Sequence, residues 1–189
     1  MSEIQHNETA IINEILEKIN KENPALKNAG FTAPLKSPEQ LVGLGFRFWM
    51  TGYRTRDIEF WKRSWDYFAG HLGVETARST IADLAFWVQT VHQSADRDIE
   101  VAPWESDHFN SNERMAITMI AAGQQSACPA LAACAYALIG GDDVEPVVTA
   151  TNKFAHHLLS NDLTLQGTAS LAAWQIEPQN LPETLKATG

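Results

Sequence analysis

Apolar residues recur every three or four positions along most of this chain, which is the pattern of amphipathic α-helices. The first such stripe covers residues 11–19, where isoleucine and leucine alternate with glutamate and lysine at helical spacing. Three prolines in residues 23–38 then indicate an extended connector. At its end, Ser37, Pro38 and Gln40 match an N-cap, a first-turn proline and a capping-box partner. We therefore predict that a long helix begins at Pro38.

Five more stretches carry the same helical spacing, and turn-forming residues separate them. Thr55, Arg56 and Asp57 mark the first break, and Thr76 is a candidate N-cap for a later helix. Gly140 and the residues after it combine a helix stop with the next start. We predict helical segments at residues 60–72, 76–95, 111–139, 144–159 and 162–176.

The overall pattern predicts an all-α fold. No window alternates apolar and polar residues in the manner of a strand beside a hairpin turn, and no internal repeat of fixed period is present. We expect a single helical domain of six to eight helices with an N-terminal amphipathic arm helix. Residues 1–36 would form that helix and its proline-containing connector, residues 37–177 the body of the bundle, and residues 178–189 a C-terminal tail. A length of 189 residues suits one hydrophobic core.

One long segment has no charge at all. From Met115 to Gly141 the chain has 27 consecutive uncharged residues. That length would allow a membrane span, but much of the segment is alanine, and Gly123 and Pro129 interrupt its middle. We therefore expect a buried helix pair and no membrane span. The proline leaves two alternatives open for residues 115–139, which are one kinked helix or two helices.

Composition narrows the function classes. The formal net charge of −9 and the pI near 5.1 argue against nucleic-acid binding, because neutralising phosphates requires clustered Lys and Arg. The N-terminus lacks a basic start followed by an apolar run, so we expect a cytoplasmic location. Cys128 and Cys134 would lie too far apart on one helix to form a disulfide. No phosphate-binding loop, dinucleotide fingerprint or nucleophile elbow is recognisable, and we predict no cofactor.

Residues 46–68 form an aromatic-basic segment in an otherwise acidic protein. They contain nine aromatic side chains and five of the 14 Lys and Arg residues of the chain. The spacing of Trp61, Trp65 and Phe68 predicts that most of the aromatic stripe is core. Tryptophan and arginine are also enriched at interface hot spots. The segment is thus a core helix pair, a ligand cleft or a docking surface.

The turn within this segment is the first candidate site. Arg54 and Arg56 flank a turn that leads into a helix N-terminus, and free N–H groups and guanidinium groups both favour an anion. With Tyr53 and Trp49, they are the candidate ligand-binding residues. The ligand would be an anionic small molecule or an acidic segment of a partner.

The break at residues 96–108 is the second candidate site. It holds five carboxylates and one histidine, and Glu105 and His108 have the Glu-x-x-His spacing of helical metal sites. No second copy of the motif occurs, and Pro103 places it in a loop. We therefore predict an acidic, solvated loop and no metal site. If the loop did bind a metal ion, Glu105 and His108 would be the candidate ligands.

His92 is the candidate catalytic residue. It belongs to the apolar stripe predicted for residues 76–95, which suggests a core histidine. If it instead faced a cavity shared with Arg54, Arg56 or Glu105, it would be a natural general base. His156 and His157 lie off the stripe of their helix, and we predict exposure and assign no role to either.

These observations favour a protein that acts by binding or assembly. The aromatic-basic segment 46–68 would mediate self-association or the docking of a partner or anionic ligand, and we predict a homo-oligomer. The alternative is a metal-dependent or acid/base helical enzyme. It would use His92, Glu105, Asp107 and His108, with Arg54 and Arg56 orienting an anionic substrate. The sequence leaves open whether the protein is an enzyme.

Overall fold

A computed structural model describes residues 37–166 of the chain, and it confirms the all-α class. This part of the protein forms six helices and no β-strand. We number them α1 (Pro38–Thr55), α2 (Ile58–Leu72), α3 (Val74–Ser94), α4 (Ser111–Gln124), α5 (Cys128–Ile139) and α6 (Glu145–Ser160). The predicted arm helix in residues 1–36 and the predicted tail lie outside the described residues.

Local capping explains where several helices begin and end. The Ser37 hydroxyl accepts a hydrogen bond from the Gln40 backbone N–H, so α1 starts as predicted. At α4, Asn110 and Glu113 form a capping box in which each side chain accepts the backbone N–H of the other residue. Gly140 ends α5 with a φ of 73°, in the left-handed region that favours glycine.

The structure corrects two predicted helix starts. The third helix begins at Val74 directly after Gly73, and Thr76 is therefore not its N-cap. Residues 163–166 are not helical although they fall in the helix predicted for 162–176, whose remainder lies outside the described residues. Gln124 explains the extended start, because its side chain donates to the Leu163 carbonyl and accepts from the Leu165 N–H.

The uncharged segment is two helices and not one kinked helix. The α4 helix ends at Gln124, and α5 begins at Cys128 with Pro129 in its first turn, where the missing proline N–H has no helical partner to lose. Met119 and Ile120 are fully buried and face the core. None of the helices in residues 37–166 combines the length and the apolar composition needed to cross a bilayer.

Helix α1 lies at the centre of the bundle. Residues 41–50 are all buried, and α1 packs against α2, α3 and α4. The second half of the core is built by α3 against α6 and by α4 against α5 and α6. Trp87 joins the two halves, because its ring lies 5.5 Å from both Phe46 and Phe154 and its Nε1 donates to the Thr151 hydroxyl at 2.9 Å.

Candidate functional site

Most aromatic side chains of segment 46–68 belong to the core, as their spacing predicts. The buried members are Phe46, Phe48, Trp49, Trp65, Tyr67 and Phe68. Trp49 is only 1% exposed, and its Nε1 donates to the Ser64 hydroxyl at 3.2 Å. Its ring is also stacked on Trp61, 5.5 Å away. This position closes off the candidate ligand residue Trp49 from the surface and gives it a packing role.

The arginines of the turn have the opposite environment. Arg54 lies in the last turn of α1 and Arg56 follows as the C-cap, and both are exposed. Within residues 37–166, neither side chain makes a hydrogen bond or an ion pair. Arg56 adopts a φ of 56° and a ψ of 33°, a left-handed conformation that disfavours residues with a Cβ by about 1 kcal/mol.

The helix that follows the turn already carries its own negative groups. Asp57 is the N-cap of α2, and its Oδ1 accepts the Glu59 backbone N–H at 2.9 Å. Glu59 adds a second carboxylate in the first turn, where it complements the helix dipole. An anion at this turn would therefore be bound by Arg54 and Arg56, and the predicted contribution of free N–H groups is reduced.

His92 contacts the turn but is not a core residue. It is exposed, and its ring stacks on Tyr53 with a centroid distance of 5.2 Å and an interplanar angle of 16°. Tyr53 also meets Trp61 edge to face at 5.5 Å. The stack brings His92 from the C-terminal turn of α3 to the end of α1 that carries Arg54. The prediction of a core histidine is wrong, because the buried stripe of α3 continues through Val91.

The loop between α3 and α4 is anchored by a buried ion pair that the sequence pattern did not predict. Arg47 and Glu113 are both 0% exposed, and they form two hydrogen bonds, Nε to Oε1 at 2.6 Å and Nη2 to Oε2 at 3.2 Å. Arg47 also donates to the carbonyls of Ser106 and His108. Two local signals were available, namely a single charge within the apolar run 41–50 and the capping-box spacing of Asn110 and Glu113.

The metal candidates lie on this anchored loop, and they are not on a helix. Glu105 and His108 are exposed, and His108 Nε2 lies 2.9 Å from Asp107 Oδ1. Without helical geometry, the Glu-x-x-His spacing does not place its two side chains on one face. No group of three or more His, Cys, Asp or Glu side chains within residues 37–166 is arranged to hold a metal ion.

Two acidic groups of α2 are withdrawn from solvent. Burial raises the pKa of Asp66, while Lys62 opposes and Glu59 reinforces the shift. Its Oδ1 is buried without a hydrogen-bond partner in the described residues. Burial also raises the pKa of the Tyr67 hydroxyl. Both groups lie in the second half of α2, away from the turn that carries Arg54 and Arg56.

Comparison with known proteins identifies no relative of this chain. No protein-family model matches the chain, and neither a curated protein nor a solved structure is significantly similar to it.

Proposed function

We propose that this protein acts by binding, and that the α1–α2 turn docks an acidic segment of a partner protein. The observation that carries the proposal is the presence of two exposed guanidinium groups, Arg54 and Arg56, without a partner in residues 37–166 of an acidic protein. Guanidinium groups bind carboxylates in a bidentate manner. The exposed His92 stacks on Tyr53, the chain neighbour of Arg54, and adds an aromatic group at this end of α1. A cytoplasmic location remains part of this proposal.

The backbone at Arg56 supports the same reading. A glycine at this left-handed C-cap would avoid the unfavourable Cβ contact, so the arginine is not the residue that best stabilises the turn. A binding role for its side chain explains why a long cation occupies the position. Exposed ion pairs contribute about 0.2–1 kcal/mol each, so docking through the turn alone would be weak and sensitive to salt.

Replacing both arginines should weaken the binding of an acidic peptide about tenfold, which corresponds to ~0.7 kcal/mol for each exposed pair. The probe is a fluorescein-labelled peptide of ten glutamates, and the measurement is fluorescence anisotropy at low salt. The test variant is R54Q/R56Q. The control R78Q/R114Q removes two other exposed arginines and changes the net charge equally. Equal weakening by both variants, or no binding by the wild type, would refute docking at the turn.

The self-association branch of the proposal rests on a second surface. Helix α5 has no charged residue, and Ala130, Ala133, Tyr136 and Ala137 are exposed on its outer side at helical spacing. Tyr136 is 54% exposed. Two copies that each carry a net charge of −9 repel one another, and a charge-free face is where they can approach most closely. Most aromatic side chains of segment 46–68, the surface predicted for self-association, are buried, so we propose that the homo-oligomer contact lies on this α5 face instead.

Substituting Tyr136 with glutamate should raise the dissociation constant of the oligomer at least about tenfold, because a buried aromatic contact is replaced by a charge. Sedimentation velocity at micromolar concentration measures the distribution of species. F86E is the matched control, since Phe86 is also an exposed aromatic side chain but lies on α3. A strictly monomeric wild type would contradict the proposal of self-association. An equal effect of F86E on the dissociation constant would contradict the assignment of the contact to α5.

A further inference from the structure

Five polar side chains meet where α3 packs against α6. Asp83 lies between Lys153 and His157, with Oδ1 2.7 Å from Lys153 Nζ and Oδ2 2.9 Å from His157 Nδ1. On its other side, His157 Nε2 faces two hydroxyl groups, Ser79 Oγ at 3.4 Å and Thr80 Oγ1 at 3.2 Å. His157 is only 20% exposed, so the prediction that it is exposed is wrong.

Helical spacing builds this cluster from both sides. Ser79 and Asp83 are four residues apart on α3, and Lys153 and His157 are four residues apart on α6, so each pair shares one face of its helix. The contact between the two helices then places the imidazole between a carboxylate and a hydroxyl. This order of serine, histidine and aspartate is the order found in nucleophilic hydrolases.

The carboxylate determines which nitrogen of the neutral imidazole carries the proton. Because Asp83 can only accept, His157 Nδ1 donates to it, and Nε2 is left with a lone pair that faces the hydroxyls. Thr80 is fully buried and its hydroxyl donates to the Thr76 carbonyl at 2.7 Å. Ser79 is exposed and its hydroxyl donates to the same carbonyl at 3.1 Å, so rotation about its Cβ–Oγ bond can redirect the proton to Nε2.

We propose that His157 is a general base for Ser79 and that Ser79 accepts an acyl group from an activated ester or thioester. The Ser79 oxygen attacks the carbonyl carbon as His157 Nε2 removes the hydroxyl proton. The bond from that carbon to the leaving oxygen or sulfur breaks, and the proton passes to the leaving group. The products are acylated Ser79 and a free alcohol or thiol, and no oxidant or reductant is required. Asp83 is a positioning residue.

The backbone limits the rate of this reaction. Ser79 is the sixth residue of α3, where backbone N–H groups are already engaged in the helix and cannot bind an oxyanion. General-base assistance alone contributes about 10²–10⁴-fold. We therefore infer a serine that is acylated slowly and selectively, without the fast turnover that an oxyanion hole provides. The site uses none of the residues of the proposed docking surface.

The test is acetylation of the full chain by p-nitrophenyl acetate, with peptide mass spectrometry to locate and time the adduct. Acetylation of Ser79 should be about 10²-fold faster in the wild type than in H157Q. H156Q is the matched control, because His156 is the exposed neighbour on the same helix, and its rate should equal that of the wild type. S79A should lose the adduct without transferring it to another residue.

Three results would overturn the proposal. The first is an equal rate of Ser79 acetylation in H157Q. The second is a stable adduct on His157 or Lys153 in place of Ser79. The third needs no variant, and it is a rate of Ser79 acetylation no greater than that of the exposed Ser111 hydroxyl in the same folded molecule. Circular dichroism of each variant verifies that it is folded.

The role of Asp83 has a spectroscopic readout. In the wild type, ¹⁵N chemical shifts of the His157 ring should report the Nδ1–H tautomer at a pH where the ring is neutral. D83N should move the ring toward the Nε2–H tautomer and slow Ser79 acetylation. An unchanged tautomer in D83N would show that the carboxylate does not orient the base.

Discussion

Replacement of Glu113 by alanine is expected to lower the free energy of unfolding by about 3–5 kcal/mol. Arg47 has no exposed surface, and two of its hydrogen bonds end on Glu113. Removing the carboxylate leaves a buried guanidinium charge whose remaining hydrogen-bond partners within residues 37–166 are the carbonyls of Ser106 and His108. Urea denaturation of the wild type and E113A measures the difference directly.

The same substitution should loosen the loop before it unfolds the protein. Glu113 accepts the backbone N–H groups of Ala102 and Asn110, so it holds the loop at two points besides Arg47. Hydrogen exchange in residues 95–110 should therefore accelerate in E113A under native conditions. Exchange in α6 should follow global stability only.

Two further variants separate the buried charge from loss of contact in general. R47M/E113L removes both charges and should recover a large part of the lost stability, because an apolar pair of similar volume leaves no buried ion. E59A removes an exposed carboxylate that lies 3.9 Å from Lys62 and should cost less than about 1 kcal/mol. An E113A effect as small as that of E59A would contradict the buried ion pair as the anchor of the loop.

The sequence predicts those parts of the fold that depend on neighbouring residues. Ser37 and Gly140 identify a helix start and a helix end because capping requires only side chains and backbone a few residues apart. Likewise, Pro129 marks a helix boundary. The boundary at Gly73 was missed because Thr76 is also a good cap, and only packing decides between the two.

Contacts between distant residues could not be predicted in this way. The spacing of Ser79 and Asp83 and that of Lys153 and His157 can be read from the sequence, but nothing in either helix indicates that the two faces meet. His92 shows a related difficulty, because two residues one position apart can both fit a short apolar stripe. In the structure Val91 is buried in the core, and His92 is exposed on α3 and stacks on Tyr53 of α1.

The sequence left open whether Arg54 and Arg56 face a pocket or water, and their exposure has a local physical reason. Thr55 to Asp57 is a local break between two apolar stripes, and charged residues at a break have no core to enter. The buried Arg47 differs from these arginines. It lies inside an apolar run, and a charge can be stable there only if a distant partner neutralises it. Which residue supplies that partner is determined by the packing of α1 on α4.

Substitution of Gly43 by alanine is expected to destabilise the protein by about 1–3 kcal/mol. In an exposed helix the same change is favourable by about 1 kcal/mol, since glycine is a poor helix former. At this position, however, an added Cβ would lie 2.5 Å from two ring atoms of Phe109 and 2.9 Å from Ile117 Cδ1. The loop ring therefore sits directly on the α1 backbone, and thermal unfolding should report the overpacking.

The expected clash of G43A is with the Phe109 ring, and a double-mutant cycle can test this assignment. The F109L substitution replaces the ring with a smaller side chain and should by itself destabilise the protein. In the F109L background, however, G43A should lower the free energy of unfolding by less than it does in the wild type. Because the Phe109 ring also lies 5.2 Å from the Arg47 guanidinium, displacing the ring disturbs the loop anchor as well. A G43A variant that is more stable than the wild type would mean that the loop does not pack on α1. The buried ion pair would then not hold the loop that carries Glu105 and His108.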